Sequence, residues 1–538
     1  AVPGHKVVVM PFKDNTYLGE VIAIIGHKND IGVDILSYAY QYGFDPKYSD
    51  EEMKEVNSLP NEVLVRDLSG RIDLRRELIF TIDGDDTKDI DDAVSLKKLD
   101  NGLYELGVHI ADVSYYVKQD GEIDKDAFKR GTSVYLVDRV IPMLPHQLSN
   151  GICSLNPNTN RLALSCVMKI NNKGEVVDYR IFESVICSKK QMTYNNVNKI
   201  LEENTIPEGY EDFADNLKLM KELSDILRSK MVRRGYLEFD SPEAKILVNE
   251  KCEPIDIVLR SQRTGEKLIE NFMIVANETV AGFVEDMDLP GIYRVHDKPN
   301  PEKLKTFIRF LSLKGYSFNM DVNKIKNYSY QKMLDMFKDK EEGSILSSLA
   351  IQTMAKAKYS NVNIGHFGLG SKRYSHFTSP IRRYPDLTLH RLVKDYLRKY
   401  STKTISKWEK LLPVIADHSS IKEQDSINCE RDVEKMKKAQ YMEGHIGKVF
   451  KGVVSGVCEF GIFVQLENTV EGLVKVEDIK GDYYVYDKEL GIMVGKNSKN
   501  RYMFGDVVTV EVINASRETS MVDFKIVKDV DYGEKKKK

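Results

Sequence analysis

The sequence predicts an α+β multidomain chain. Three observations carry this expectation. Strand-like and helix-like periods mix between about Leu68 and Tyr400 without a linker between them. From about Gly444 onward, short alternating runs separated by glycines read as all-β. Two further strand-like runs stand near the N-terminus.

Taken in order, His5–Met10 and Gly19–Ile25 are short apolar runs divided by a polar turn, and the first roughly 45 residues read as β-rich. Two strands are not stable alone, so they are expected to be the end of a truncated domain. The chain begins with Ala rather than Met, as expected for a fragment of a longer protein. An acidic, helix-like linker is expected from about Asp50 to Asn61. The next stretch, Glu77 to about Val185, is strand-rich. Helices follow: Ile269, Phe272, Met273, Ala276 and Val280 form one apolar stripe, Leu389, Leu392, Val393, Tyr396, Leu397 and Tyr400 a second, and Cys429, Val433, Met436 and Ala439 a third. At the far end, Gly456–Leu466 and Val508–Val512 alternate inward and outward residues.

Composition excludes little. The 538 residues are 42% hydrophobic and 30% charged, an ordinary balance for a globular protein. No apolar run approaches the roughly 18 to 20 residues needed to cross a bilayer, and no secretory signal pattern opens the chain. Cys153, Cys166, Cys187, Cys252, Cys429 and Cys458 form no C-x-x-C pair, which gives a zinc site little support and fits free thiols in a reducing cytoplasm. A net charge of −3 argues against a polyanionic partner only if charge is spread evenly. Carboxylates gathered at one site cancel basic residues in the sum without cancelling them in space.

Such a gathering exists. Between the apolar runs Leu78–Ile82 and Ala93–Leu96 lie six aspartates within ten residues: Asp83, Asp85, Asp86, Asp89, Asp91 and Asp92. Carboxylates this close raise one another's pKa and oppose folding unless a cation intervenes. A calcium loop of the EF-hand kind is disfavoured, because position six is Lys88 rather than Gly and position twelve is Val94 rather than Glu. The strand-like flanks also speak against an EF-hand; of the two readings left, a solvated acidic turn and a Mg²⁺ site for phosphoryl transfer, the second is preferred, and the cluster alone does not name the substrate.

The motifs around this cluster resemble the RNB family of exoribonucleases. The resemblance is carried by Thr81–Asp83, Asp89–Asp92, Gly107–Val113, Arg130–Tyr135, Ile141–Pro145, Leu148–Asn156, Met192–Tyr194, Leu268–Glu270, His376–Asp386 and Cys429–Asp432, in one order over most of the chain. It implies a large RNB catalytic domain with a helical C-terminal part at 68–443, after a partial cold-shock (OB) domain at 1–46 and a linker at 47–67. An S1-type OB β-barrel at 444–530 and a basic tail at 531–538 complete the expected organisation. The tail, Lys535–Lys538, reads equally as a solubilising end or as an RNA-gripping arm.

The resemblance also implies roles. Asp83, Asp89, Asp91 and Asp92 would form the metal centre, with one or two Mg²⁺ ions (Mn²⁺ as the substitute), and Asp91 would be indispensable. Asp85 and Asp86 match no ligand position and read as exposed charge. Arg382 would meet charge developing on phosphorus, and Arg383 would serve as a salt bridge or a backbone phosphate contact. Tyr135 and Phe239 would stack the terminal base, while Tyr194 and Glu270 would read the ribose 2′-hydroxyl. Glu430 falls at a family position near the RNA channel, and Glu270 also reads as a helix capping or salt-bridge residue. On the barrel, Phe460, Phe463 and Lys475 would contact RNA, with Lys475 standing where many relatives carry His.

The implied activity is processive 3′→5′ hydrolysis of single-stranded and structured RNA to nucleoside 5′-monophosphates, in RNA decay and quality control. The implied partner is RNA with a free 3′ end; ribosomes or decay factors are candidate partners, and a cytoplasmic monomer is expected. Alternatives are an enzyme of the ribonuclease II kind that stalls at structure, a DNA exonuclease, and a non-catalytic RNA-binding protein. The last would be expected to lack one of Asp83, Asp89, Asp91, Asp92 or Arg382, and all five are present.

Overall fold

In the computed structural model the residues described are 1–527, apart from 13–14, 239–242, 319–320, 338–339, 341–342, 399 and 489. Phe239 and the basic tail 531–538 lie outside them.

The centre of the molecule is a five-stranded sheet. Its spatial order is Ile72–Asp73, Val176–Cys187, Asn160–Ile170, Tyr104–Ala111 and Asp92–Lys98, with every neighbouring pair antiparallel except the first. The strands read as apolar runs because the sheet is covered. The helix Thr264–Asp286 packs against three of them, and Ala214–Arg234 packs in turn against that helix. The stripe Ile269, Phe272, Ala276 and Val280 faces this core as the periodicity predicts.

One buried polar ladder crosses the sheet and fixes its register. His109 bonds Ser95 Oγ through Nε2 (3.0 Å) and Ser165 Oγ through Nδ1 (2.7 Å), and Ser165 Oγ bonds Ser184 Oγ at 2.7 Å. Burial pushes the imidazole down to about 3, so it stays neutral. Position 107 must be glycine, since a Cβ there would stand 2.4 Å from Ser95 Oγ and 2.6 Å from His109 Nε2. At the end of the same strand Asp112 is buried but satisfied. It accepts from Arg71 Nη2 at 2.6 Å and from Lys394 Nζ, which ties the sheet to the helix Tyr384–Leu397.

The linker expected at 47–67 is part of this unit. Its helix Asp50–Ser58, capped by Ser49 Oγ accepting from Glu52 N–H, buries Val56 in the central core. The first 45 residues are less β-rich than expected. After the hairpin His5–Phe12 and Asn15–His27 the chain forms a helix, Val33–Gln41. Ile35, Ala39 and Phe44 pack with Cys429, Val433 and Met436 of the 42-residue helix Thr402–Glu443. The β-branched run that suggested strands ends at Ile25; beyond it the apolar residues no longer alternate.

That long helix leads into a closed five-stranded barrel formed by Val449–Cys458, Gly461–Leu466, Glu471–Lys475, Met521–Ile526 and Val507–Ser516. Val454, Ile462, Val464, Val474, Val510, Val512 and Phe524 fill it. A three-stranded extension (Tyr484–Asp487, Ile492–Gly495, Arg501–Tyr502) is inserted between its strands. No helix among the described residues is long and apolar enough to cross a membrane.

Candidate active site

The aspartate cluster lies where two strand ends meet. Asp83 ends the strand Thr81–Asp83 and Asp92 begins Asp92–Lys98, with the remaining aspartates in the connection. Asp85 and Asp86 are exposed, as the sequence suggested, and Asp85 accepts a hydrogen bond from Asn195. The connection is held from behind by Ser154: its Oγ accepts from Ile90 N–H at 3.0 Å and donates to Lys88 O at 2.7 Å. Leu155 N–H donates to Ile90 O, and Arg161 holds the same segment through the carbonyls of Ser154 and Gly151. Sequence reasoning gave Ser154 no role, although it lies inside a quoted motif.

Asp91 is 4% exposed. Its Oδ1 accepts from Ile381 N–H at 2.8 Å, while Oδ2 is buried with no hydrogen-bond partner among the described residues and stands 3.8 Å from Arg382 Nε. Burial raises its pKa well above the ordinary carboxylate value, against the pull of Arg382 and the Ile381 N–H. Asp83 also keeps a buried, unpartnered Oδ2, and burial, then the charges of Asp92 and Asp89, push it up to about 8. Asp92 is raised to about 6 by burial, with Arg382 and Arg383 opposing.

Orphaned buried carboxylate oxygens cost free energy, and a hard divalent cation is the ligand that would satisfy them. Among the described residues no three acidic, His or Cys side chains already converge on a single point. Mg²⁺ tolerates such an open arrangement, because it keeps waters and takes substrate phosphates into its shell. The donor set therefore fits a divalent cation.

Asp89 faces differently: its Oδ2 accepts from the Tyr135 hydroxyl at 2.9 Å. Tyr135 is stapled beside Arg382. Ser133 N–H and Thr132 Oγ1 both donate to Arg382 O, at 3.0 and 3.1 Å, and Tyr135 N–H donates to Glu430 Oε1 at 3.3 Å. Glu430 also accepts from Ser426 Oγ at 2.9 Å, and burial raises its pKa. The aspartates, Tyr135, Arg382 and Glu430 are thus brought together from remote parts of the chain.

Arg382 is lightly held: among the described residues its guanidinium makes one hydrogen bond, from Nη2 to Ser379 Oγ at 3.0 Å, beside the 3.8 Å approach of Nε to Asp91. Arg383 is not free. It donates from Nε to Asp386 Oδ1 (3.0 Å) and from Nη2 to Oδ2 (2.8 Å), so of its two expected roles the geometry shows the ion pair. Asp386 also accepts Ser379 N–H at 2.8 Å, which locks the turn that presents Arg382.

Tyr194 opens the helix Tyr194–Glu203, directly after Thr193, which pairs with Asp83. Burial raises the pKa of its hydroxyl, and the charges of Asp92 and Asp83 add to the rise. Glu270 accepts from the Tyr236 hydroxyl at 2.7 Å, and Arg228 lies over the Tyr236 ring at 4.2 Å. Neither neighbour was singled out in the sequence. On the barrel, Phe460 is exposed and makes an edge contact with Phe463, ring centroids 6.1 Å apart. Lys475 is exposed opposite Gly461, so all three lie at one end of the same strand pair.

Fold and site together define a nuclease of the RNB family. The family model for the RNB domain matches residues 71–399, and that for the S1 RNA binding domain matches 444–526. The chain belongs to the RNB family of exoribonucleases. Its similar relatives carry the name ribonuclease R. Ribonuclease R 1 of Lactococcus lactis is 44% identical over 97% of this chain and 65% of its own length. Ribonuclease R of Thermotoga maritima is 43% identical over 98% and 76%. The solved Mycoplasma genitalium RNase R in complex with ribose-methylated single-stranded RNA superposes with a TM-score of 0.92 at 30% identity, over 97% of this chain and 83% of that one. The same protein in complex with double-stranded RNA gives a TM-score of 0.87 at 28% identity, over 97% and 89%. The chain therefore spans between about two thirds and nine tenths of the length of these relatives.

Proposed function

We propose that this chain degrades RNA from its 3′ end by hydrolysis, releasing nucleoside 5′-monophosphates, and that it acts on structured as well as single-stranded RNA. The observation that carries this reading is Asp91: a buried carboxylate fixed through one oxygen by Ile381 N–H, its other oxygen open beside Arg382. The ribonuclease R relatives, one of them solved with single- and with double-stranded RNA, support the choice of substrate.

Asp83, Asp91 and Asp92, with Asp89, are the residues that would hold the cation, Mg²⁺ with Mn²⁺ as substitute. When bound, the cation supplies an activated water and offsets charge on the leaving oxygen. The chain's own residues do the rest. Arg382, presented by the Arg383–Asp386 clamp, steadies charge developing on the scissile phosphate. Tyr135 stacks the terminal base, and stacking tolerates any base, as a general degrader requires. Tyr194 and Glu270 recognise the 2′-hydroxyl, Glu270 being oriented by Tyr236. Phe460, Phe463 and Lys475 hold RNA on the barrel.

The test is product identity. With Mg²⁺, RNA should yield nucleoside 5′-monophosphates while matched DNA stays intact; 3′-monophosphates, or equal loss of DNA, would refute the assignment. Digestion of a duplex with a 3′ overhang through its paired region supports action on structure, and arrest at the first base pairs refutes it.

A further inference from the structure

The four carboxylates are not equivalent. Among the described residues Asp83 and Asp91 each keep a buried oxygen without a hydrogen-bond partner, whereas Asp89 has Oδ2 bonded to the Tyr135 hydroxyl. Tyr135 as a whole residue is 41% exposed, while its hydroxyl sits in a buried environment that raises its pKa, so part of the residue is open to an incoming base. Its backbone, by contrast, is fixed on every side. Tyr135 pairs with Val140, its N–H donates to Glu430, and Ser133, two residues earlier, donates its N–H to Arg382 O. Side-chain rotation is the freedom left, and it would break the bond to Asp89 while leaving the main chain in place.

We propose that the Tyr135 hydroxyl is a latch that keeps the Asp89 carboxylate out of the cation-binding set until the 3′-terminal nucleotide displaces the ring. The inference rests on the metal centre proposed above. While Tyr135 donates to Asp89, one of that carboxylate's roughly four acceptor sites is taken by a neutral partner, and the bond holds Oδ2 toward the ring. A base stacking on the ring moves the hydroxyl and returns the carboxylate to the cluster. Cation and RNA 3′ end then favour each other's binding, and linkage makes the factor equal in both directions. The cation set is completed only when a substrate end is seated.

Mn²⁺ titration of the RNA-free chain, followed by the electron paramagnetic resonance of the unbound ion, tests this without turnover. Tyr135→Phe keeps the ring and removes the hydroxyl. It should bind Mn²⁺ about tenfold more tightly than the wild type, the scale of one hydrogen bond to a charged acceptor. Adding Asp89→Asn to Tyr135→Phe should abolish that gain. Equal affinity of the wild type and Tyr135→Phe overturns the latch, as does a gain that survives Asp89→Asn. Asp91→Asn separates the two readings. Weakened Mn²⁺ binding in that variant upholds the metal centre on which the latch depends, and unchanged binding overturns both.

Discussion

Asp91 and Arg382 face each other across 3.8 Å, carboxylate oxygen to guanidinium nitrogen, too far for a hydrogen bond and close enough for charge to be felt. The arrangement lowers the cost of a buried carboxylate without consuming its second oxygen. Backbone N–H of Ile381, one residue before Arg382, fixes the first oxygen. Both halves of the pair thus depend on one turn, 379–383, and that turn depends on Asp386.

Arg382→Lys keeps a positive charge but loses the planar fork. It should lower kcat by about 10²–10³-fold, the usual range for one lost donor at developing charge, with KM changed far less. Single-turnover and steady-state kinetics on an oligoribonucleotide check this. A loss confined to KM would make Arg382 a binding contact instead.

Tyr135→Ala removes the aromatic ring beside the site, the proposed stacking surface. Binding of the 3′ end should weaken by about 1–3 kcal/mol, and degradation should stop earlier, leaving a longer final oligonucleotide. High-resolution gels of the product ladder read this directly. An unchanged ladder removes Tyr135 from the terminal contact.

Asp386→Ala leaves the Arg383 guanidinium unpaired in a mostly buried position and frees Ser379 N–H. Breaking a buried pair by removing one partner costs about 3–5 kcal/mol. Denaturant unfolding should register a loss of this size, and a change below about 1 kcal/mol would show that the clamp contributes little.

The Asp83 carboxyl has its pKa raised from 3.8 to about 8 in the fold, chiefly by burial. A raised carboxyl binds more protons folded than unfolded, so its favourable contribution is present at low pH and lost as pH rises from about 4 through about 8. In EDTA the wild type should therefore lose more thermal stability between pH 5 and pH 8 than Asp83→Asn does. Mg²⁺ should restore the wild type more strongly at pH 8 than at pH 5, because the ligand form is the ionised one. Parallel melting profiles of the two proteins would contradict the burial of this charge.

Much of this molecule was readable from residues. Strand ends at Asp83 and Asp92 follow from the apolar runs on either side, and the helix Thr264–Asp286 follows from its stripe. Arg382 was found through its motif rather than its type, since an isolated arginine carries no such signal. What escaped notice depends on pairing at a distance. Ser154 behind the aspartates, Tyr236 on Glu270, and Tyr135 on Asp89 join residues 34 to 66 positions apart. Local periodicity holds no information about such partners. The helix Val33–Gln41 escaped for a related reason: its apolar residues are explained by the long helix Thr402–Glu443, which supplies their core from the far end of the chain.

The most direct test of the central claim is a time course on 5′-labelled single-stranded RNA, with Mg²⁺ and with EDTA, using the wild type and Asp91→Asn. Mg²⁺ should drive full-length RNA to an end product a few nucleotides long with few intermediates, and EDTA should stop the reaction. Asp91→Asn should lose more than about 100-fold in rate, the upper end of what a supporting residue at a metal site costs, while still binding RNA. Tight RNA binding by the wild type with no cleavage under any metal condition, or an Asp91→Asn protein that degrades RNA normally, would contradict it.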